Sequence, residues 1–179
     1  MAVMVIAIVA TTIALLTNNQ NPSSNQTNNQ NTPQSWITKG AYATYAGQAN
    51  VLSMTVSFKA RMEIVDFNQT HIQVATDFNM TTPFGTNQNT TSTWVNREEM
   101  TYQPDGLTLN NTYTAQVALP NLGTRTCTVY EYNSQGISAA YYVDKSVQCS
   151  IKMIMTSPTV EGHSYSMNID LVNSNIPSV

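Results

Sequence analysis

The side chains with the widest chemical range are few: two histidines, His71 and His163, two cysteines, Cys127 and Cys149, and nine methionines. Thiolate, imidazole and thioether together are the ligand set of a copper centre on a β scaffold. Such a centre needs Cys, His and Met close together near the end of the chain. Here Met153 follows Cys149 with no His between them, and His163 lies fourteen residues beyond Cys149. Met153, Met155 and Met167 fall at alternate positions among apolar residues, which reads as core. No metal and no cofactor is therefore assigned. Each histidine is expected to be exposed, His71 on the polar side of a strand and His163 just before the last one.

The carboxylates show no acid–base pairing. Glu98 and Glu99 are adjacent and would point to opposite faces of a strand. Glu63 is two residues from Arg61 on one polar face, the spacing of a surface ion pair. Asp66, Asp105 and Asp144 sit in turn sequences, where the side chain bonds the nearby backbone. There is no Gly-x-Ser-x-Gly, no His-Glu-x-x-His, no glycine-rich phosphate loop and no repeated Cys-x-x-Cys. No catalytic residue is assigned, and the chain is read as a non-enzyme.

Cys127 and Cys149 flank an alternating apolar segment, 137–143. If that segment pairs with both neighbours, the cysteines lie two strands apart. Strand spacing then separates them by about 9.5 Å, beyond the roughly 7 Å that a disulfide spans between Cα atoms. A bridge requires their strands to part and face each other across a sandwich or barrel. The alternative is two buried free thiols packing as small hydrophobes.

Asn-x-Ser/Thr, the acceptor pattern for N-linked glycans, occurs five times, at Asn25, Asn68, Asn79, Asn89 and Asn110. Asn68, Asn89 and Asn110 are expected in turns or loops. These sites point to a secreted or surface-exposed glycoprotein.

Composition agrees with that placement. Only 9% of residues are charged and the net charge is −3, against about 25% charged in an ordinary soluble protein. Nothing here attracts nucleic acid. A surface of amides and hydroxyls keeps its polarity when carboxylates protonate, which fits either an acidic exterior or a glycan-coated surface.

Residues 1–16, MAVMVIAIVATTIALL, carry no charge. As a helix they would span about 24 Å, short of the ~30 Å hydrocarbon core. They read as a transmembrane anchor, with a signal segment as the alternative. Residues 17–35 consist only of Thr, Asn, Gln, Pro and Ser. With nothing to bury, they read as a disordered linker between membrane and domain. The expected location is the cell membrane, crossed once, with residues 36–179 facing the exterior.

That last portion has a period of two. Leu52, Met54, Val56, Phe58, Ala60, Met62 and Ile64 alternate with polar residues, the pattern of one long half-buried strand. Ile72, Val74, Phe78 and Met80 continue it after a turn at 66–69. Residues 81–93 read as a loop, and Trp94–Met100 is ambiguous between strand and helix. Further strands are read around Tyr113–Leu119, Cys127–Val129, Ile137–Val143, Val147–Met155 and Tyr165–Leu171. Turns are read at 104–106, 120–123, 133–136 and 144–145. Short connections imply antiparallel neighbours. The expected fold is all-β, with about seven or eight antiparallel strands in a strongly curved sheet, a half-barrel, or a sandwich.

The segment Tyr142-Val143-Asp144-Lys145 through Ile151-Lys152 resembles a hairpin of LolA-type lipoprotein carriers and related mycobacterial lipid-carrying lipoproteins. In that family an aromatic residue precedes Asp-Lys and a Lys lies eight positions after the Asp, as Lys152 does after Asp144. This chain has Gln148 where the family has Gly, and Ser150 where it has Pro. The resemblance covers about a dozen residues and carries over no functional residue. It implies a convex, incompletely closed barrel around an apolar, Met-lined site.

Three functions follow as expectations. The first is a non-catalytic surface domain that binds or supports another exterior component, such as a surface protein. The second is a carrier or sensor for a hydrophobic or lipid ligand. The third is a filament or pilin-like subunit.

Overall fold

The structure, a computed structural model, describes residues 37–51, 54–96, 107–134, 136–146, 149–160 and 163–176. The apolar segment 1–16, the linker 17–35, Glu98, Glu99, Asp105 and the turn at 104–106 lie outside the described residues. So does the sequon at Asn25. No helix among the described residues is long and apolar enough to cross a membrane.

Nine strands form: β1 (Tyr42–Val51), β2 (Met54–Phe67), β3 (His71–Thr82), β4 (Gly85–Asn96), β5 (Thr108–Leu119), β6 (Gly123–Ser134), β7 (Ile137–Asp144), β8 (Ser150–Val160) and β9 (His163–Ser174). They make one antiparallel sheet in the order β4-β3-β2-β1-β9-β8-β7-β6-β5. The first and last strands pair at its centre. Two meanders run outward from that pair, so β4 and β5, consecutive in the chain, become the opposite edges. The architecture is all-β and antiparallel as expected, and of the expected alternatives it takes the curved single sheet and not the sandwich; among the described residues it has nine strands, against an expectation of seven or eight.

Two strands are not marked by alternation, β1 and β4. In β1 consecutive Ala43, Thr44 and Tyr45 are all buried, which erases the period of two. Residues 81–93, rich in Thr and Asn with Pro83 and Gly85, read as a loop. The structure makes a hairpin instead, with β3 and β4 paired without slippage from His71–Asn96 to Thr82–Gly85. Ten of the twelve β4 residues are exposed. A strand with almost no buried face leaves no periodicity to find. Its backbone ladder to β3 and the β preference of its threonines hold it in place. Trp94–Asn96 completes this strand, which settles that part of the ambiguous stretch.

One apolar face crosses the sheet through directly opposed pairs. Tyr132–Ala139, Ala139–Met155, Met155–Met167, Met167–Ala49 and Ala49–Val56 form one row. Tyr141–Met153, Met153–Ile169, Ile169–Gly47, Gly47–Phe58 and Phe58–Met80 form the next. Ile72, Ile151, Met153 and Leu171 are among its fully buried side chains, each worth about 1.5–3 kcal/mol of transfer free energy. No second sheet covers this face among the described residues. The sheet rolls toward it instead: β5 comes back against β9 although four strand steps separate them. Register shifts at Thr44/Tyr45, Ile64/Asp66, Leu109/Asn111 and Tyr142/Val143 mark bulges, which bend and twist long strands.

Candidate functional site

The polar face of β2, β3 and β4 carries an open groove of about 530 Å³, lined by Lys59, Arg61, Asp77, Phe78, Asn79, Gln88, Asn89 and Thr90. Strand register places its polar groups. Lys59, Asn79 and Gln88 are directly opposed across the three strands, and so are Arg61, Asp77 and Thr90. Alternation within each strand then puts these six side chains on one face.

The second row is held in place. Thr90 Oγ1 donates to Asp77 Oδ1 at 2.8 Å. Arg61 Nη2 donates to Glu63 Oε2 at 2.8 Å, the ion pair expected from their spacing. The guanidinium also lies 3.7 Å from the centre of the Tyr42 ring. The hydrogen bond to Glu63 holds Arg61 above its ordinary pKa. In the first row, the side chains of Lys59, Asn79 and Gln88 make no hydrogen bond among the described residues. The groove thus pairs a fixed charged row with a row of uncommitted donors and acceptors. Further along the same face, Lys152 Nζ meets Asp170 Oδ1 at 2.7 Å, and Tyr142 stands opposite Lys152.

The remaining residues singled out in the sequence lie elsewhere. His71 begins β3, where its Nδ1 and Thr70 Oγ1 are 2.8 Å apart. His163 begins β9. Among the described residues, no three His, Cys, Asp or Glu side chains converge as a metal site. Cys127 on β6 and Cys149, just before β8, are both free and buried. Strand β7 lies between their strands, the arrangement for which a bridge was out of reach. Burial, aided by the charge of Asp144, pushes the Cys127 thiol up to about 11. Burial also raises Cys149, against the lowering effect of the neighbouring Tyr45 hydroxyl. Thiols kept protonated in this way are poor nucleophiles.

The hairpin picked out by resemblance forms as β7–β8. Its Asp144 is buried and accepts from Ser146 N at 2.7 Å and from Ser146 Oγ at 2.5 Å. Asp144 therefore shapes the turn, while Lys152 binds Asp170 one strand further on.

The sequons divide by position. Asn68 lies in the β2–β3 turn, where its Oδ1 accepts from Thr70 N, Thr70 Oγ1 and His71 N at 2.9, 3.2 and 2.8 Å. Asn79 is half-buried on β3, in the groove. Asn89 and Asn110, expected in loops, lie instead on the two edge strands and are exposed. Sequence reasoning missed the groove because it depends on β4. The signal available was the unusual density of Thr, Asn and Gln between 81 and 93.

Fold and groove define a single-sheet β domain with an open polar groove on one face. No protein-family profile and no curated protein matches the sequence. Among solved structures, a DUF1329 family protein from Desulfovibrio piger shows a faint likeness, with 10% identity and a TM-score of 0.24. The aligned region covers 79% of this chain and 88% of that one.

Proposed function

We propose that this chain is a non-catalytic binding domain, held at the outer side of a membrane by residues 1–16 and the linker 17–35. Its recognition surface is the β2–β3–β4 groove, and the ligand class is a hydroxyl-rich polar chain such as an exterior polysaccharide. The supporting observation is the row Lys59–Asn79–Gln88, three hydrogen-bonding groups uncommitted among the described residues and set beside a fixed charged row. Buried thiols driven toward the protonated form fit a binding role better than covalent catalysis. A glycan on Asn79 would fill this groove, so the reading requires that Asn79 be unmodified; Asn89 borders the groove, but alternation turns its side chain to the face opposite Gln88 and Thr90, away from the two polar rows.

Calorimetric titration against a panel of neutral and acidic polysaccharides tests the reading. Lys59→Ala and Gln88→Ala should each weaken a detected interaction about tenfold, since losing one such hydrogen bond costs on the order of 1–3 kcal/mol. Absence of any binding, binding indifferent to both substitutions, or a glycan mapped to Asn79 would defeat it.

A second reading, a carrier for a hydrophobic ligand, draws on the apolar face. Tyr141 is 2% exposed there, and its hydroxyl has no hydrogen-bond partner among the described residues. Met62, Met155 and Tyr165 pack against the same core and are only partly covered. A buried unsatisfied donor in a Met-rich core would be met by the polar head of an amphiphile that enters it. Native mass spectrometry showing a retained lipid would favour this reading, and a ligand-free mass would count against it.

A further inference from the structure

An open sheet exposes two rows of unpaired backbone N–H and C=O groups, and natural proteins block such edges with charge, proline or a covering segment. Here β4 is Gly85–Asn96 and β5 is Thr108–Leu119, each twelve residues long. Neither contains Lys, Arg, Asp, Glu or Pro. Ten of twelve residues in β4 are exposed, as is every residue from Thr108 to Thr114 in β5. Among the described residues no strand pairs with the outer side of β4 or β5, so two copies meeting there would find no repelling charge within the strands and backbone groups to share. Each edge does carry one sequon, Asn89-Thr90-Thr91 in β4 and Asn110-Asn111-Thr112 in β5. Asn110 is also a bulge: the register with β6 passes from Leu109–Tyr132 to Asn111–Glu131, leaving it unpaired. A bulge can re-aim a side chain relative to the ladder.

We propose that N-linked glycans on Asn89 and Asn110 are the edge guards of this sheet, keeping a second copy of the chain from pairing with β4 or β5. The inference rests on the exterior placement proposed above, because that compartment is where such modification occurs. Bulky hydrophilic chains at both edges do the work that lysine or proline does elsewhere.

The test uses the full chain from its native membranes, with glycans mapped by mass spectrometry and assembly followed by sedimentation velocity in mild detergent. The native protein should be modified at Asn89 and Asn110 and monomeric. The double variant N89Q/N110Q should self-associate at concentrations at least tenfold lower, whereas N68Q should behave as the parent. Adding Thr93→Lys and Thr112→Lys to the double variant should restore the monomer. If Asn89 and Asn110 are unmodified, the inference falls, while the exterior placement is read separately from protease access to the domain in intact cells. The inference also falls if the sites are modified and N89Q/N110Q stays monomeric. Association that both lysines leave untouched, or a modified native protein already assembled, would likewise overturn it. Oligomeric state is read independently of ligand binding in the groove.

Discussion

The Tyr45 hydroxyl donates a 2.8 Å hydrogen bond to the carbonyl of Ser150, 105 residues away, and lies 3.5 Å from Cys149 Sγ. Tyr45 is on β1 and Ser150 begins β8, with β9 between them. A side chain reaches over an intervening strand in this way only where the sheet is strongly curled. Removing the hydroxyl leaves a buried carbonyl with one partner fewer. Tyr45→Phe should lower stability by about 1–3 kcal/mol, read from the midpoint of chemical denaturation at unchanged slope.

At Gly47 the strands leave no room for a side chain. A Cβ there would collide with the Asn168 carbonyl and stand 2.6 Å from the Phe58 ring. The backbone is ordinary strand, so the requirement is space. Gly47→Ala should cost roughly 1–3 kcal/mol through overpacking, measured by thermal melting. An unchanged melting temperature would show that β1 and β9 are less closely packed than described.

Tyr141 makes the opposite prediction. Its ring packs edge-on against Tyr132, with centroids 5.8 Å apart, but its buried hydroxyl has no partner among the described residues. Tyr141→Phe keeps the ring and removes the unsatisfied group. Stability should hold or rise by up to about 1 kcal/mol. A loss above that range would mean that the hydroxyl is satisfied by a bound ligand or water, and would strengthen the carrier reading.

Alkaline pH should weaken the fold in a defined window. Burial raises the Cys127 thiol from 9.0 to about 11, and the Tyr132 and Tyr141 hydroxyls from 10.0 to about 12. Between those limits the unfolded chain has released protons that the folded chain still holds. The contribution is therefore complete below pH 9 and is lost as pH rises through about 12. Denaturation midpoints should be level from pH 7 to 9 and fall above that. Cys127→Ala should flatten the first part of the decline, and a profile indifferent to this change would assign the loss to other groups.

Much of the sheet was legible along the chain because one face is buried and the other wet. In β2, the buried Val56, Phe58, Ala60 and Ile64 fall on the positions that alternation marks out. The ion pair of Arg61 with Glu63 followed from the same periodicity. β4 left no such mark, since its first ten residues are exposed on both faces and are held by their backbone ladder and side-chain hydrogen bonds to β3. The groove was hidden with it: Lys59, Asn79 and Gln88 are far apart in sequence and become a row only through two strand registers.

Tertiary structure also decided what the alternating pattern leaves open. Period two is the same in a sandwich, a barrel or one rolled sheet, because it records which side is buried and not what covers it. Pairing β1 with β9, the first strand with the last, made a single sheet and sent β4 and β5 to opposite edges. Cys127 and Cys149 stayed apart because β7 came between them. Local chemistry set the strands, the turn at Asp144 and the scarcity of charge. Long-range backbone pairing chose which side chains became neighbours, since that choice depends on the order of strands, which no local pattern encodes.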